Sequence, residues 1–275
     1  MLKNHEVNSI KKQKDSWLVT TKEQQFVCDA VVMTAGSSKK VWDLSQSLGH
    51  AVISPVPSLF TFKIKDLRIK DLLGISVSNA TVKLIDTNLE ASGPLLITHW
   101  GLSGPAILKL SAFGARVLAA KNYEYKVQVD WLSSPTNEII NVLLNLKSKQ
   151  PKKQVMVRSP FEEIPKRLWE RFVSASQIPI TSNWADLSHA KIDSLANQLT
   201  KSLFSAKGKS TFKEEFVTAG GVDLREINFK TFESKLQKNL FFVGEVLNID
   251  AVTGGFNFQN AWTGGWVCAK GLAKI

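Results

Sequence analysis

The C-terminal segment of this chain, residues 238–274, constrains the fold more than any other stretch of the sequence. Its apolar run at 240–243 is typical of a buried strand and ends at Gly244-Glu245. A loop with Gly254-Gly255 follows, and then a helical pattern that contains two further glycines. Strand, acidic turn, glycine loop and helix is the order in which α/β sheets bring backbone N–H groups to a phosphate-bearing cofactor.

The N-terminal part of the chain carries a related pattern. Residues 5–32 alternate as a β-meander of short strands separated by polar turns. Residues 30–36 form an apolar run that ends at Gly36, and residues 39–49 show helical spacing. Because both ends of the chain combine a strand, a glycine turn and a helix, we expect them to meet in one domain.

The middle of the chain differs from both ends. Residues 51–132 read as short strands and turns with one helix at 106–120, which favours a β-barrel or sandwich. Helices are predicted at 137–149, from Pro160 or Phe161 to Phe172, and at 186–203, with Thr136 as an N-cap. Strand character returns at 211–213 and 216–219, before a Gly220-Gly221 turn. The predicted fold class is α/β plus β, with these domains: a partial Rossmann-like domain at 1–48 and 236–275, a β-barrel-like domain at 49–134 and 207–235, and a helical subdomain at 135–206.

Composition limits the class of protein. Two distant cysteines, Cys28 and Cys268, give no metal spacing and no disulfide framework, so we predict no metal site and a cytoplasmic location. The uncharged stretches 91–108 and 251–269 contain prolines, amides and glycines that lipid tolerates poorly, so we expect a soluble protein that does not contact a membrane.

The net charge of +11 permits a nucleic-acid footprint, a solvated basic surface or an anionic ligand. The lysines are scattered along the sequence and occur only in short runs such as Lys11-Lys12 and Lys152-Lys153. This distribution favours a solvated surface over nucleic-acid binding.

Four blocks resemble one known family. They are Val31-Val32-Met33-Thr34-Ala35-Gly36, residues 98–108 beginning Thr-His-Trp-Gly-Leu-Ser-Gly-Pro, Thr218-Ala219-Gly220-Gly221-Val222, and residues 240–265. In this order they are similar to the HI0933-like flavoproteins of the BaiN/RdsA or aminoacetone-oxidase type, which are NAD(P)/FAD-dependent oxidoreductases. The resemblance implies an FAD-binding domain interrupted by a β-barrel-like module with a helical insert.

The resemblance also implies roles for individual residues. Ala35 and Gly36 would approach the adenine-dinucleotide part of FAD, and Gly244 with Glu245 would meet the ribitol. The residues Gly254, Gly255, Phe256 and Asn257 would line the isoalloxazine and pyrophosphate. NAD(P)H is the implied hydride donor, and the substrate would be a small molecule.

Several of these residues have a simpler interpretation. Taken alone, Glu245 is interpreted as an exposed carboxylate in a turn, and the glycines are interpreted as residues of tight turns. His99 is the candidate for catalysis, although a structural hydrogen bond is the favoured role. Trp100, Trp262 and Trp266 could border a flavin or pack a core.

The sequence also departs from the family pattern. It contains no Gly-x-Gly-x-x-Gly, and Asn248 stands where Asp is more usual. We therefore expect the C-terminal portion of an oxidoreductase that binds FAD weakly or not at all when alone and self-associates through uncovered surfaces. Two alternatives stay open: a truncated non-catalytic module without flavin, and a basic RNA-associated flavoprotein relative.

Overall fold

A computed structural model describes residues 2–209 and 217–274 of the chain. The fold is mixed α/β and contains a closed six-stranded β-barrel. The strands, numbered in chain order, are β1 (Val7–Gln13), β2 (Ser16–Thr21), β3 (Gln25–Cys28), β4 (Val31–Met33), β5 (Val52–Ser58), β6 (Phe62–Ile64), β7 (Ser76–Leu84), β8 (Glu90–Ile97), β9 (Gly101–Ser103), β10 (Glu124–Asp130), β11 (Ser202–Lys209), β12 (Val217–Val222), β13 (Ile227–Asn228), β14 (Glu233–Ser234) and β15 (Leu240–Phe242). The helices are α1 (Lys39–Ser47), α2 (Pro105–Phe113), α3 (Ala115–Ala120), α4 (Thr136–Lys149), α5 (Lys166–Ala175), α6 (His189–Thr200) and α7 (Phe256–Leu272).

The chain divides into two compact units. Unit 1 combines residues 1–58 with 217–275, and unit 2 is the continuous segment 59–216. The sequence-based boundaries at 48 and 236 lie inside unit 1 because β5 pairs with β12 along its length, from Val52↔Val222 to Ser58↔Val217. The predicted strand at 211–213 lies outside the described residues.

Unit 1 contains the predicted meander and a four-stranded sheet. β1, β2 and β3 pair antiparallel, and Trp17 of β2 is fully buried. The second sheet has the order β13-β14-β15-β4, in which β15 and β4 run parallel. Leu240 pairs with Val31 and Phe242 with Met33, so the two apolar runs at opposite ends of the sequence are adjacent strands. The described residues place no strand on the other edge of β4.

The last helix, α7, packs one side into the core of unit 1. Gly264 lies against Phe232 and Val243, and Cys268 is 2% exposed. Burial raises the pKa of the Cys268 thiol.

We expect iodoacetamide to modify Cys268 at neutral pH at least about tenfold more slowly in the native chain than in the urea-unfolded chain, measured by peptide mass spectrometry. Equal rates in the two states would contradict this packing.

Unit 2 is built around the barrel, whose strand order is β10-β11-β6-β9-β8-β7. Alternating residues of its strands point inward, as in β10, where Tyr125, Val127 and Val129 are buried. β11 begins at Ser202, inside the range predicted as helix, because α6 ends at Thr200 and Lys201 leaves the helical conformation. The predicted barrel-like module is therefore a closed barrel.

The helices of unit 2 differ from the sequence prediction in three places. The predicted helix at 106–120 is divided into α2 and α3 at Gly114. α5 begins after Pro165 rather than at residue 160 or 161, because a proline disfavours helical backbone in the residue before it. Thr136 is the first residue of α4 and pairs with Thr200 instead of capping the helix. Within the described residues, no helix is both long and apolar enough to cross a membrane.

Candidate functional site

The carboxyl ends of β4 and β15 lie side by side in unit 1. The backbone N–H of Val243 donates to the carbonyl of Met33 at 3.0 Å, which continues the parallel register one residue beyond the strands. Ala35-Gly36 and Gly244-Glu245 therefore leave the sheet at the same edge. This is the edge at which open α/β sheets bind their ligands.

The space around Gly36 suits a close ligand. A Cβ added at Gly36 would meet no atom within 4 Å, so the backbone there faces open space. Gly244 is buried and has φ of 81°, which favours glycine. A Cβ added there would lie 3.6 Å from the Cβ of Ala261. Glu245 is half-buried beside Gly244. A carboxylate at this point can accept hydrogen bonds from sugar-alcohol hydroxyls.

The segment after Glu245 is fixed by two other elements of unit 1. The Val246 carbonyl accepts a hydrogen bond from the Trp42 indole Nε1 at 3.0 Å and another from the Val222 N–H at 3.0 Å. The Asn248 N–H donates to the Val222 carbonyl at 3.0 Å. α1 and β12 thus hold the start of the glycine loop in one position.

The Gly220-Gly221 pair has a different role from the turn that the sequence predicted. Both residues lie within β12, where the pairing register with β5 shifts. A Cβ on Gly221 would lie 2.5 Å from the Val246 carbonyl oxygen, and one on Gly220 would lie 2.6 Å from the Cα of Pro55. The absent side chains allow close backbone packing.

The glycine loop itself is held by Asn257. Its Oδ1 accepts from the Ala251 N–H at 2.9 Å, and its Nδ2 donates to the Ala251 carbonyl at 3.1 Å. Nearby, the Ser58 hydroxyl donates to Asp250 at 2.9 Å. The Asn257 side chain therefore shapes the loop, and its contact with a cofactor stays a prediction.

The start of α7 presents backbone N–H groups at the end of this loop. Gly255 is the N-cap, and the first turn contains no acidic residue, so its dipole and N–H groups suit an anion. Gly254 and Gly255 are both exposed. Phe256 is also exposed, so an aromatic ring is available close to the same loop.

The outer side of α7 is strongly aromatic. Phe258, Trp262 and Trp266 follow one another at helical spacing and are 68%, 70% and 61% exposed. These tryptophans therefore do not pack in the core of unit 1, which was one of the two roles considered for them. An exposed apolar face of this kind is typical of a surface that another element covers.

His99 belongs to unit 2, in the turn between β8 and β9. The turn is closed by the Thr98 N–H, which donates to the Gly101 carbonyl at 2.8 Å, and by the Ile64 N–H, which donates to the Trp100 carbonyl at 2.9 Å. His99 and Trp100 are exposed at its tip. These backbone hydrogen bonds thus fix a tight turn, and a catalytic role for His99 stays a prediction.

A buried hydrogen-bonded triad in unit 1 was not predicted from the sequence. His50 Nδ1 lies 2.8 Å from Glu226 Oε2, and its Nε2 lies 3.0 Å from Ser234 Oγ. The arrangement resembles a Ser-His-Glu relay, but Ser234 is only 7% exposed. Its hydroxyl oxygen accepts hydrogen bonds from the backbone N–H groups of Leu236 and Gln237 at 3.0 and 2.9 Å. With its lone pairs engaged, Ser234 is a structural residue and not a nucleophile.

Comparison with known proteins places the chain in a family. The HI0933-like protein barrel and H2TH domain matches residues 56–217, more than half of the chain. Relatives include a ribosomal RNA dihydrouridine synthase of Haemophilus influenzae, 29% identical over 95% of this chain and 65% of that protein. A 3-dehydro-bile acid delta(4,6)-reductase of Clostridium scindens is 26% identical over 98% of this chain and 68% of that protein.

A ribosomal RNA dihydrouridine synthase of Escherichia coli is 27% identical, with 97% of this chain and 66% of that protein covered. The chain thus spans about two thirds of the length of the curated relatives that it matches. The closed barrel of unit 2 lies within the matched residues 56–217. The chain belongs to the HI0933-like family.

Proposed function

We propose that this chain is the larger part of an FAD-dependent oxidoreductase that uses NAD(P)H to reduce a carbon–carbon double bond. The observation that carries the proposal is the in-register parallel pair of β4 and β15. It brings Ala35-Gly36 and Gly244-Glu245 to one edge, with the glycine loop and the α7 N-terminus continuing from it. Two glycine turns, a carboxylate and a helix start are the elements that flavin-binding α/β domains use.

Each element of the site has a definite task under this proposal. Glu245 accepts hydrogen bonds from the ribityl hydroxyls, and the N–H groups at the start of α7 face a phosphate. Asn257 and Trp42 keep the loop in place through Ala251 and Val246. When bound, the flavin would supply hydride transfer between the nicotinamide and the substrate.

The reaction type is suggested by the relatives. One group makes dihydrouridine in ribosomal RNA, and another protein is a delta(4,6)-reductase for 3-dehydro-bile acids. Both names describe the addition of hydrogen to a carbon–carbon double bond. A shared reaction on two unlike substrates supports double-bond reduction as the chemistry of the family, with the substrate set by other surfaces.

The proposal predicts a measurable effect of Glu245 on flavin affinity. We expect Glu245→Gln to weaken FAD binding about tenfold, because one charge-assisted hydrogen bond contributes about 1.5–3 kcal/mol. Binding is measured by quenching of flavin fluorescence on titration with the full chain. The 275-residue chain is expected to bind FAD weakly, since its sequence has no Gly-x-Gly-x-x-Gly.

A matched control separates this effect from a change in net charge. Glu23→Gln removes an exposed carboxylate from the β2–β3 turn of the same unit and should leave FAD binding unchanged. Equal weakening by the two variants would contradict a role for Glu245. A chain that binds no flavin at millimolar concentration would favour the alternative, a non-catalytic module.

A further inference from the structure

The positive charge of this protein is concentrated in unit 2. Residues 59–216 contain 22 Lys and Arg against 14 Asp and Glu, which gives a formal charge of +8 out of +11 for the whole chain. An excess of this size can serve solubility or an anionic ligand, and its arrangement in space decides between the two. Spacing along the sequence does not show that arrangement, because folding brings distant residues to one surface.

One concave surface of unit 2 collects basic side chains from three separate segments. It is a groove of about 660 Å³ whose lining includes Lys65, Lys70, His99 and Arg167. We call these four residues and the concavity between them the basic groove. All four residues are exposed. The volume of the groove lies within the range of about 300–1,000 Å³ that is usual for small-molecule sites.

Arg167 reaches the basic groove from helix α5 and is held in position there. One of its N–H groups donates to the Asp71 carbonyl at 2.5 Å. A guanidinium has five N–H donors in a planar fork, so this bond leaves donors for a ligand. On the same helix, an Arg171 N–H donates to the Lys70 carbonyl at 3.3 Å. These bonds hold α5 against the segment that carries the two lysines.

The acidic residues of the groove do not cancel its charge. Asp66 forms an ion pair with Arg68 at 2.8 Å. Burial by itself would raise the pKa of Asp66, but the hydrogen bonds from Arg68 outweigh it and the pKa lies below its usual value. The pair is neutral as a whole, so Asp71 is the carboxylate left to oppose the cations among the lining residues.

Two exposed leucines lie among these cations. Leu67 and Leu73 line the groove and are 77% and 52% exposed. Both belong to the segment that carries Lys65 and Lys70, so one side of the groove offers apolar and cationic side chains together. An inorganic phosphate ion would use the cations alone. A ligand that combines phosphates with a flat ring, such as a nucleotide, uses both kinds of side chain.

We propose that the basic groove binds the phosphates of the nicotinamide donor and makes NADPH, rather than NADH, the preferred reductant. The inference rests on the proposed reductase function, which requires a hydride donor and leaves the site of that donor open. Lys65 and Lys70 face the pyrophosphate, and the two leucines cover the adenine. Arg167 binds the ribose 2′-phosphate, which NADH lacks. Its planar fork matches a terminal phosphate group, whereas lysines act as point charges.

The test measures binding of NADPH and of NADH to the full chain, without added flavin, by isothermal titration calorimetry. NADPH is expected to bind at least about tenfold more tightly than NADH, since a charge-assisted hydrogen bond to one further phosphate contributes about that factor. Arg167→Gln should reduce this preference to less than about threefold and leave the affinity for NADH unchanged. The double variant Lys65→Gln, Lys70→Gln should weaken both nucleotides about tenfold, because both carry the pyrophosphate.

The matched control removes the same charge from unit 1. Lys11→Gln, Lys14→Gln, Lys22→Gln changes three exposed lysines and should alter the affinity for NADPH less than about threefold. It is compared with the combined glutamine variant of the three groove cations, which should lose more than about tenfold. Equal losses in the two triple variants would overturn the proposal, and so would tighter binding of ATP or of a uridine-rich RNA than of NADPH. If the combined variant does not fold, Arg167→Lys keeps the charge without the fork and should still lower the preference for NADPH.

The result is separable from the flavin proposal. Glu245→Gln should lose FAD affinity and keep its affinity for NADPH, since Glu245 and the basic groove belong to different units. NADPH binding that depends on the groove, in a chain that binds no FAD, would support the groove and contradict the reductase. FAD binding together with equal NADPH losses in the two triple variants would do the reverse.

Discussion

Replacing Gly221 with alanine is expected to lower the free energy of unfolding by at least about 3 kcal/mol. The new Cβ would lie 2.5 Å from the Val246 carbonyl oxygen and 2.7 Å from the Leu247 carbonyl group, and all of these are backbone atoms. The residue also has φ of 131°, which L side chains rarely adopt. β12 or the segment at 246–248 must therefore move, and the hydrogen bonds of Val222 to that segment are lost or lengthened. The measurement is urea denaturation followed by circular dichroism.

Two other glycines of unit 1 separate the causes. At Gly49, φ is 92° but a Cβ would meet no atom within 4 Å, so Gly49→Ala should cost only the backbone strain, about 1–2 kcal/mol. Gly265 lies inside α7 with open space around it, so Gly265→Ala should stabilise the chain by up to about 1 kcal/mol. A Gly221→Ala variant no less stable than Gly49→Ala would contradict the close backbone approach. Because Gly221 packs on the loop after Glu245, its variant should also lose FAD affinity.

Replacing His50 with alanine is the second large effect, with an expected loss of about 3 kcal/mol. The imidazole is 3% exposed, bridges Glu226 and Ser234, and packs edge-on against Phe242 with ring centroids 4.8 Å apart. Its removal leaves a cavity and deprives the buried Ser234 hydroxyl of its acceptor. Thermal and urea unfolding of the variant measure the loss.

The controls for His50 test the hydrogen bonds and the burial separately. Glu226→Gln keeps a carbonyl oxygen for the His50 Nδ1 proton and should cost about 1 kcal/mol. His189→Ala changes an exposed histidine at the start of α6 and should stay within about 0.5 kcal/mol. If His50→Ala unfolds no more easily than His189→Ala, the buried triad does not stabilise unit 1.

Local patterns predicted the parts of the fold that depend on neighbouring residues. The alternation of residues 5–32 predicted the meander, and the apolar runs at 30–36 and 240–243 predicted strands that the structure places at Val31–Met33 and Leu240–Phe242. The expectation that both chain ends form one domain followed from their matching patterns, and the register of Val31 with Leu240 agrees with it. The turns of the candidate site could be located because strand ends and glycines are visible in sequence.

Features set by distant contacts could not be read in this way. His50 lies 176 residues from Glu226 and 184 from Ser234, so no spacing rule connects them. Gly220 and Gly221 look like any glycine pair that forms a turn, and only their packing on Pro55 and Val246 places them in a strand.

The pairing of Ser58 with Val217 has a consequence for the order of folding. Unit 2 leaves and rejoins unit 1 at residues that face each other across the β5–β12 pair, so the whole segment 59–216 is topologically one very long hairpin loop. Closing such a loop while it is unfolded costs about 4–5 kcal/mol of chain entropy. A barrel that has already formed shortens the loop and removes most of that cost. This connection favours rapid folding of unit 2, followed by slower closure of unit 1 and pairing of β4 with β15.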